Sequence, residues 1–534
     1  MIISAAVVVV AAAGAGGAYY LLHTRGTPLE TAQRFTSAWS RGDLAAMKAE
    51  LAAPAPKFDA AYAELTKNLG ATGVAVSGMR VSDPVDDRST ASYTTTVTLK
   101  NMGEWTYEGE LKLVVEDRHW KVDWSPSAVH PALTGTNRLA IKTTWPARGA
   151  ITDASGARID DGDDGGSVQQ LVGFLDKATA KDVKKLGAAY RVGDAVGRGG
   201  LQETFQRRLA GTPTTEIQAV DGDERETLHT LKGKPGEEVR TSLDPRVQRA
   251  AADAVRDLEK PASLVAVRPS TGEILAVVNN KGGFNRALDG RYPPGSTFKA
   301  VTAAGLLAAG LTPSSTVSCP REANVGGLKI RNSDHEAFGS LSFLDSYAHS
   351  CNTTFAPLAA AKLGAQKLYD LAGDFGFNQP LDIGVPATKG SMPKATSDAE
   401  LAAESFGQGR ITASPLVMAG VAAAIADGSW RPPTLVPSLK QKSSPKPLPG
   451  GVAEQLRSMM KAVVTKGTAR GARLPSGTAG KTGTAEFGTG PKLDSHAWFA
   501  GYRGDLAFAV VVEGGGGGGA VAAPVAAAFL RALG

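Results

Sequence analysis

The stretch Pro294-Gly295-Ser296-Thr297-Phe298-Lys299 runs directly into Ala300-Val301-Thr302-Ala303-Ala304-Gly305-Leu306-Leu307. No other segment restricts the fold as strongly. An apolar run of this kind reads as a buried helix, and the turn before it throws a serine onto the helix's first turn. Lys299 follows three residues on, so serine and lysine share one helix face. A serine hydroxyl is a poor nucleophile until a nearby base takes its proton. The helix N-terminus adds partial positive charge and free backbone N–H groups. Together these features can make an acylatable serine, provided other segments supply its partners. Two further Ser-x-x-Lys matches, Ser391–Lys394 and Ser443–Lys446, lead into no apolar helix and carry Pro immediately before Lys.

At 534 residues the chain is too long for one core. Its formal charge of +6 is small for that length. Arg and Lys are scattered, with no basic block alternating with aromatics, which argues against nucleic acid as a partner. Cys319 and Cys351 are the only cysteines, so a disulfide-rich scaffold and an all-cysteine zinc site are excluded. No metal or cofactor is expected.

Residues Ile2 to Leu22 carry no charge, and their length is close to the roughly 20 residues that span a bilayer. Tyr19 and Tyr20 fall where an interfacial aromatic belt would lie. The expectation is a single-pass anchor. Ala13-Gly14-Ala15 offers the alternative of a cleaved signal peptide, and either places the bulk of the chain outside the cytoplasm. From Thr27 to Ala132 the pattern is a helix over Thr31–Glu50, then alternating strands around Tyr93–Leu99, Leu111–Val115 and Trp120–Trp124. That order suggests a curved sheet wrapped round a helix, with Trp105, Trp120 and Trp124 as packing. Asn137 to Lys234 is polar and Gly-rich. Its acidic run Asp160–Gly166 lacks the later bidentate Glu of a calcium loop and reads as a solvated turn. After the linker Lys232–Gly236, Asp244 and Pro245 start a helix as N-cap and first residue. Ser263–Val267 and Glu273–Val278 follow as a hairpin. Arg431–Gly450 reads as an exposed loop, and Gly514–Gly519 as a flexible one without chemistry.

Ser296 has partners. Ser350-Cys351-Asn352 follows the apolar helical pattern Leu341–Ala348, and Lys481-Thr482-Gly483-Thr484 lies near the C-terminus. Three motifs in this order are the signature set of penicillin-binding proteins and class A β-lactamases. From Glu238 onward the chain resembles a class B penicillin-binding protein, a peptidoglycan D,D-transpeptidase. Glu404–Gly409 with Thr412–Pro415, and His496–Tyr502, also look like that family; packing is the favoured role for Trp498 and Phe499. Upstream, Arg148–Gly156 resembles the opening of the family's pedestal region. Residues 27–135 resemble the nuclear-transport-factor-like N-terminal domain of the MecA-type subgroup. The implied architecture is multi-domain α+β. An anchor (1–26), a small cone-shaped α+β domain (27–135) and a pedestal or dimerisation domain (136–237) would precede a penicillin-recognising transpeptidase domain (238–534). That last domain would pair an antiparallel sheet with a helical subdomain.

The resemblance implies a role for each motif residue. Ser296 would attack the penultimate D-alanine carbonyl of a stem peptide, releasing D-alanine. Lys299, desolvated enough to lower its pKa, would be the general base. Ser350 would relay a proton to the leaving amine, and Asn352 would hold substrate and Lys299 in register. Lys481 would meet the terminal carboxylate, with the Thr482 and Thr484 hydroxyls as further donors. Gly483 would let the strand approach the substrate backbone. The backbone N–H groups of Ser296 and Thr484 would form the oxyanion hole, each donor worth about 3 kcal/mol. The implied partners are D-Ala-D-Ala donor and amine acceptor stems, β-lactam antibiotics, the membrane, and a separate membrane glycosyltransferase of the SEDS type. A β-lactamase or a D,D-carboxypeptidase would use the same serine. No Glu-x-x-Leu-Asn stretch lies between Ser350 and Lys481 to support the former. A Cys319–Cys351 disulfide is an open alternative to two free thiols.

Overall fold

The pair Gly42-Asp43 decides how the chain starts. The helix expected over Thr31–Glu50 is two helices: α1 (Pro28–Arg41), and a short one over Leu44–Ala49. Gly42 sits at φ 71° and closes α1, and Asp43 caps the next helix by accepting the Ala46 N–H. A glycine C-cap followed at once by an Asp N-cap is a stop and restart, which apolar periodicity alone does not register. The computed structural model describes residues 25–100, 102–161, 166–187, 189–488 and 493–534. The expected anchor over Ile2–Leu22 and Asp163–Asp164 of the acidic run lie outside the described residues. Among the described residues no helix is long and apolar enough to cross a membrane.

The chain forms two compact units. The first comprises residues up to Arg148, Lys177–Ala195 and Ala210–Gly236. In it α1 and α2 (Phe58–Lys67) accompany an antiparallel meander of β1 (Ala71–Val81), β2 (Arg88–Leu99), β3 (Gly103–Glu116) and β4 (His119–Val122). Alternation in β2 puts Tyr93, Thr95, Val97 and Leu99 on the buried face. A second sheet joins β5 (Arg138–Thr144), β6 (Thr214–Asp221) and β7 (Glu224–Leu231) in the order 7-6-5. The core carries Phe35, Phe58, Trp105 and Trp120. Trp105 and Trp120 are packing residues, and Trp124 is half-buried against Phe58.

The second unit comprises Gly149–Asp176, Val196–Leu209 and Glu237–Gly534, so the stretch expected as a pedestal gives segments to both units. Helix α3 (Pro245–Arg256) is capped by Asp244, whose carboxylate accepts from Arg246 and Val247. A five-stranded antiparallel sheet follows, built from β8 (Ala262–Val267), β9 (Ile274–Asn279), β10 (Thr478–Phe487), β11 (Asp494–Arg503) and β12 (Leu506–Val512). Its order is 9-8-12-11-10, which leaves β10 as an edge strand. Helix α3 packs on this sheet with the C-terminal helix Ala522–Ala532. Pro415–Asp427, buried throughout its first eleven residues, and Val452–Thr465 pack against it as well. Helix α4 (Lys299–Ala308) is buried from Lys299 to Leu307. The segment Arg431–Gly450 is not exposed throughout, because Leu435 and Val436 are fully buried. Backbone carbonyls of Thr434 and Leu435 accept from the Ser242 hydroxyl.

Candidate active site

Ser296 sits in a single 3₁₀ turn, Gly295–Phe298, that feeds α4. The tighter turn leaves Ser296 half-buried while Thr297, Phe298 and Lys299 are buried. Gly295 holds φ 53°, and a Cβ there would come within 2.8 Å of the Thr484 carbonyl oxygen. The turn that carries Ser296 therefore lies directly against edge strand β10. Lys299 is 0% exposed. Its Nζ is 2.5 Å from Asn352 Oδ1, 2.7 Å from the Ser350 carbonyl, 3.0 Å from Ser296 Oγ and 3.1 Å from Ser350 Oγ. The amide and carbonyl oxygens can only accept, so they take two N–H groups and the remaining position of the nitrogen faces the two hydroxyls. Burial, and then the nearby Lys481, push the Lys299 amine well below its ordinary pKa. A neutral amine so placed can turn its lone pair toward Ser296.

Ser350 and Cys351 lie between two short helices, α5 (Phe343–Ala348) and α6 (Asn352–Leu358), and Asn352 opens the second. Ser350 adopts φ 62°, a left-handed conformation costing a non-glycine residue about 1–2 kcal/mol. It is pinned by N–H bonds from Ser350 to Tyr347 and from Cys351 to Ser346. It is also pinned by a disulfide between Cys319 and Cys351, with Cα atoms 6.0 Å apart. The open alternative over the cysteines thus resolves to a disulfide. Asn352 Nδ2 donates to the Arg331 carbonyl at 2.9 Å, leaving Oδ1 turned to Lys299.

Lys481 is also 0% exposed, and burial lowers its pKa to about 7. It donates to Ser350 Oγ at 2.8 Å and to the Thr482 carbonyl at 3.1 Å, over the face of Tyr347. Ser350 Oγ is thus shared by two lysines. Gly483 is also held to glycine by its neighbours. A Cβ would meet Pro294 O at 2.9 Å and Thr297 Cγ2 at 3.0 Å, so its missing side chain makes room for the Ser296 turn. The Thr482 hydroxyl lies 2.6 Å from that of Thr468, and Thr484 Oγ1 accepts the Gly518 N–H at 3.3 Å. Gly518 corrects the reading of Gly514–Gly519 as a loop free of the site: a Cβ there would lie 2.3 Å from Gly483 O. Behind the serine, Gly295 N–H donates to Gly407 O at 2.9 Å, and a Cβ on Gly407 would strike Gly295 O at 2.0 Å.

The fold brings all the expected site residues to one place. It adds Thr468 and Tyr347, which sequence reasoning missed. Tyr347 stood in the quoted apolar pattern but gave no sign that its ring underlies Lys481. Thr468 sits in a Lys-Gly-Thr loop with no distinguishing spacing. Among the described residues no group of His, Cys, Asp and Glu could hold a metal ion.

Comparison with known proteins agrees with this geometry. Residues 262–531 match the penicillin binding protein transpeptidase domain, 27–137 the NTF2-like N-terminal transpeptidase domain, and 163–241 the penicillin-binding protein dimerisation domain. The chain is 32% identical over 381 residues to the peptidoglycan D,D-transpeptidase PbpA of Mycolicibacterium smegmatis, covering 60% of this chain and 73% of that one. It is 30% identical over 396 residues to PbpA of Mycobacterium tuberculosis, covering 61% and 74%. Pseudomonas aeruginosa PBP2, solved in complex with WCK 5153, superposes with a TM-score of 0.62 at 27% identity, over 74% of this chain and 96% of that one. The chain belongs to the penicillin-binding protein transpeptidase family, a class B member among the peptidoglycan D,D-transpeptidases.

Proposed function

We propose that cross-linking proceeds through an acyl-enzyme on Ser296. The observation that carries this reading is the Lys299 nitrogen, buried among Ser296, Ser350 and Asn352 with its basicity reduced. Ser296 Oγ bonds to the penultimate D-alanine carbonyl carbon as its proton passes to Lys299. The oxyanion is met by the backbone N–H groups of Ser296 and Thr484, which the close approach of Gly295 to Thr484 supports. The C–N bond to the terminal D-alanine then breaks, and its nitrogen takes a proton through Ser350 from the lysine pair. An acceptor amine attacks the ester, its proton returns by the same route, and Ser296 is freed. Lys481 and the Thr482 and Thr484 hydroxyls hold the terminal carboxylate.

The Cys319–Cys351 disulfide supports an oxidising, extracytoplasmic location for this unit. The uncharged run Ile2–Leu22 supports a single membrane anchor. Glycan polymerisation is assigned to a separate membrane glycosyltransferase of the SEDS type. A labelled penicillin should leave a long-lived adduct that maps to Ser296 by intact mass and peptide mapping, and Ser296→Ala should abolish it without unfolding the protein. Labelling elsewhere would overturn the assignment, and release of the drug within seconds would indicate a β-lactamase.

A further inference from the structure

The residues leading to Ser296 are held by a group outside the three motifs. Glu513 lies one residue past β12, and its Oε1 accepts from the Tyr292 hydroxyl at 2.5 Å and from Arg286 Nε at 3.0 Å. Tyr292 begins the five-residue path to the nucleophile, and its main chain is paired both ways with Ala413, at 3.1 and 2.8 Å. One residue on, the Pro293 carbonyl accepts from Trp498 Nε1 at 3.1 Å. Both proline nitrogens lack a donor, and the Pro294 carbonyl accepts from Thr297 Oγ1 at 2.6 Å; the Tyr292 side chain is the contact that links this path to Glu513. Arg286 in turn donates to the Gly282 carbonyl at 2.9 Å, which ties the preceding loop to the same carboxylate.

Glu513 also opens the segment that ends at Gly518, whose N–H reaches Thr484 and whose Cα is pressed against Gly483. A short stretch of chain therefore touches Tyr292, three residues before the Ser296 turn, at one end and the edge strand at the other. We infer that Glu513, acting through Tyr292, is a positioning residue that sets the gap between the Ser296 turn and β10, the gap in which the oxyanion forms. This rests on the acyl-enzyme reading above. Glu513 does not touch substrate in this role. Its removal should slow bond formation while leaving the initial non-covalent recognition intact.

The test is stopped-flow acylation of the full-length protein by a fluorescent penicillin, resolving the dissociation constant of the first complex from the rate constant of acylation. Tyr292→Phe and Glu513→Ala should each lower the acylation rate constant by about 10- to 100-fold, the penalty expected for misplacing reacting groups by up to an ångström. The dissociation constant should hold. The double variant should be no slower than the worse single one, because Glu513→Ala already removes the contact that Tyr292→Phe removes. Glu513→Gln keeps an acceptor for Tyr292 and should recover most of the rate, a rescue that general loss of stability would not produce. Wild-type rates in both single variants, losses that multiply, or an effect confined to the dissociation constant would overturn the inference. Should Glu513→Ala fail to fold, Tyr292→Phe, which removes one oxygen, carries the decision. A wild-type protein that forms no adduct on Ser296 would instead overturn the acyl-enzyme reading itself.

Discussion

Both units bury polar side chains in apolar surroundings, but they point the polar heads at different things. In the N-terminal unit the Tyr107 hydroxyl donates to the Val129 carbonyl at 2.5 Å, Thr31 donates to Trp120 O, and His130 Nδ1 accepts the Ala132 N–H. Each head meets fixed backbone. In the catalytic unit Lys299 and Lys481 meet serine hydroxyls. Desolvation is common to both units, taking His130 down to about 4 and Lys481 to about 7. What separates them is whether the perturbed group faces a side chain that can exchange a proton with it. A shifted pKa marks chemistry only in the second case.

The sharpest test of that contrast is Lys299→Met, which should cut penicillin acylation by about 10³-fold or more. The matching change in the other unit, Tyr107→Phe, should cost about 1 kcal/mol of stability and leave acylation unchanged. A slow Tyr107→Phe protein would break the comparison. Next in size is the disulfide. Serine at both Cys319 and Cys351 opens a link with a sequence separation of 32. It should lower the catalytic unit's stability by about 3–4 kcal/mol in the chain-entropy model, seen in denaturant unfolding. Labelling should slow as well, because the strained Ser350 loses its neighbouring tether.

The remaining effects are in pH. Unfolded His130 takes up a proton at its ordinary pKa of 6.5, before the folded group at about 4. The N-terminal unit should therefore lose stability as pH falls between those values. Unfolded Lys481 holds its proton up to its ordinary 10.5 while the folded group releases it near 7. The catalytic unit should accordingly gain stability as pH rises across that window. His130→Asn should flatten the first slope, and Lys481→Met should reduce the second, to which the buried Lys299 also contributes, read by unfolding at a series of pH values.

The catalytic motifs were legible because their spacing reports local geometry. Ser296 and Lys299 share a face by helical periodicity, and Asp244-Pro245 announces its own cap. What escaped notice depends on tertiary packing. Six consecutive glycines look like slack chain, yet Gly518 is glycine because Gly483 O leaves no room for a Cβ. Arg431–Gly450 has the composition of a surface loop, yet Leu435 and Val436 fill the core. Thr468 enters the site only through its pairing with Thr482. Such contacts have no period to detect.

Gly407, Gly295, Gly483 and Gly518 form a seam of main chain pressed on main chain, with forbidden Cβ contacts of 2.0 to 2.9 Å. Backbone cannot yield as a flexible side chain can. For a population under drug selection, this closes the most direct escape route. A single substitution along the seam pries the Ser296 turn from its strand, so on the proposed mechanism it should weaken acylation by an inhibitor and by a stem peptide together.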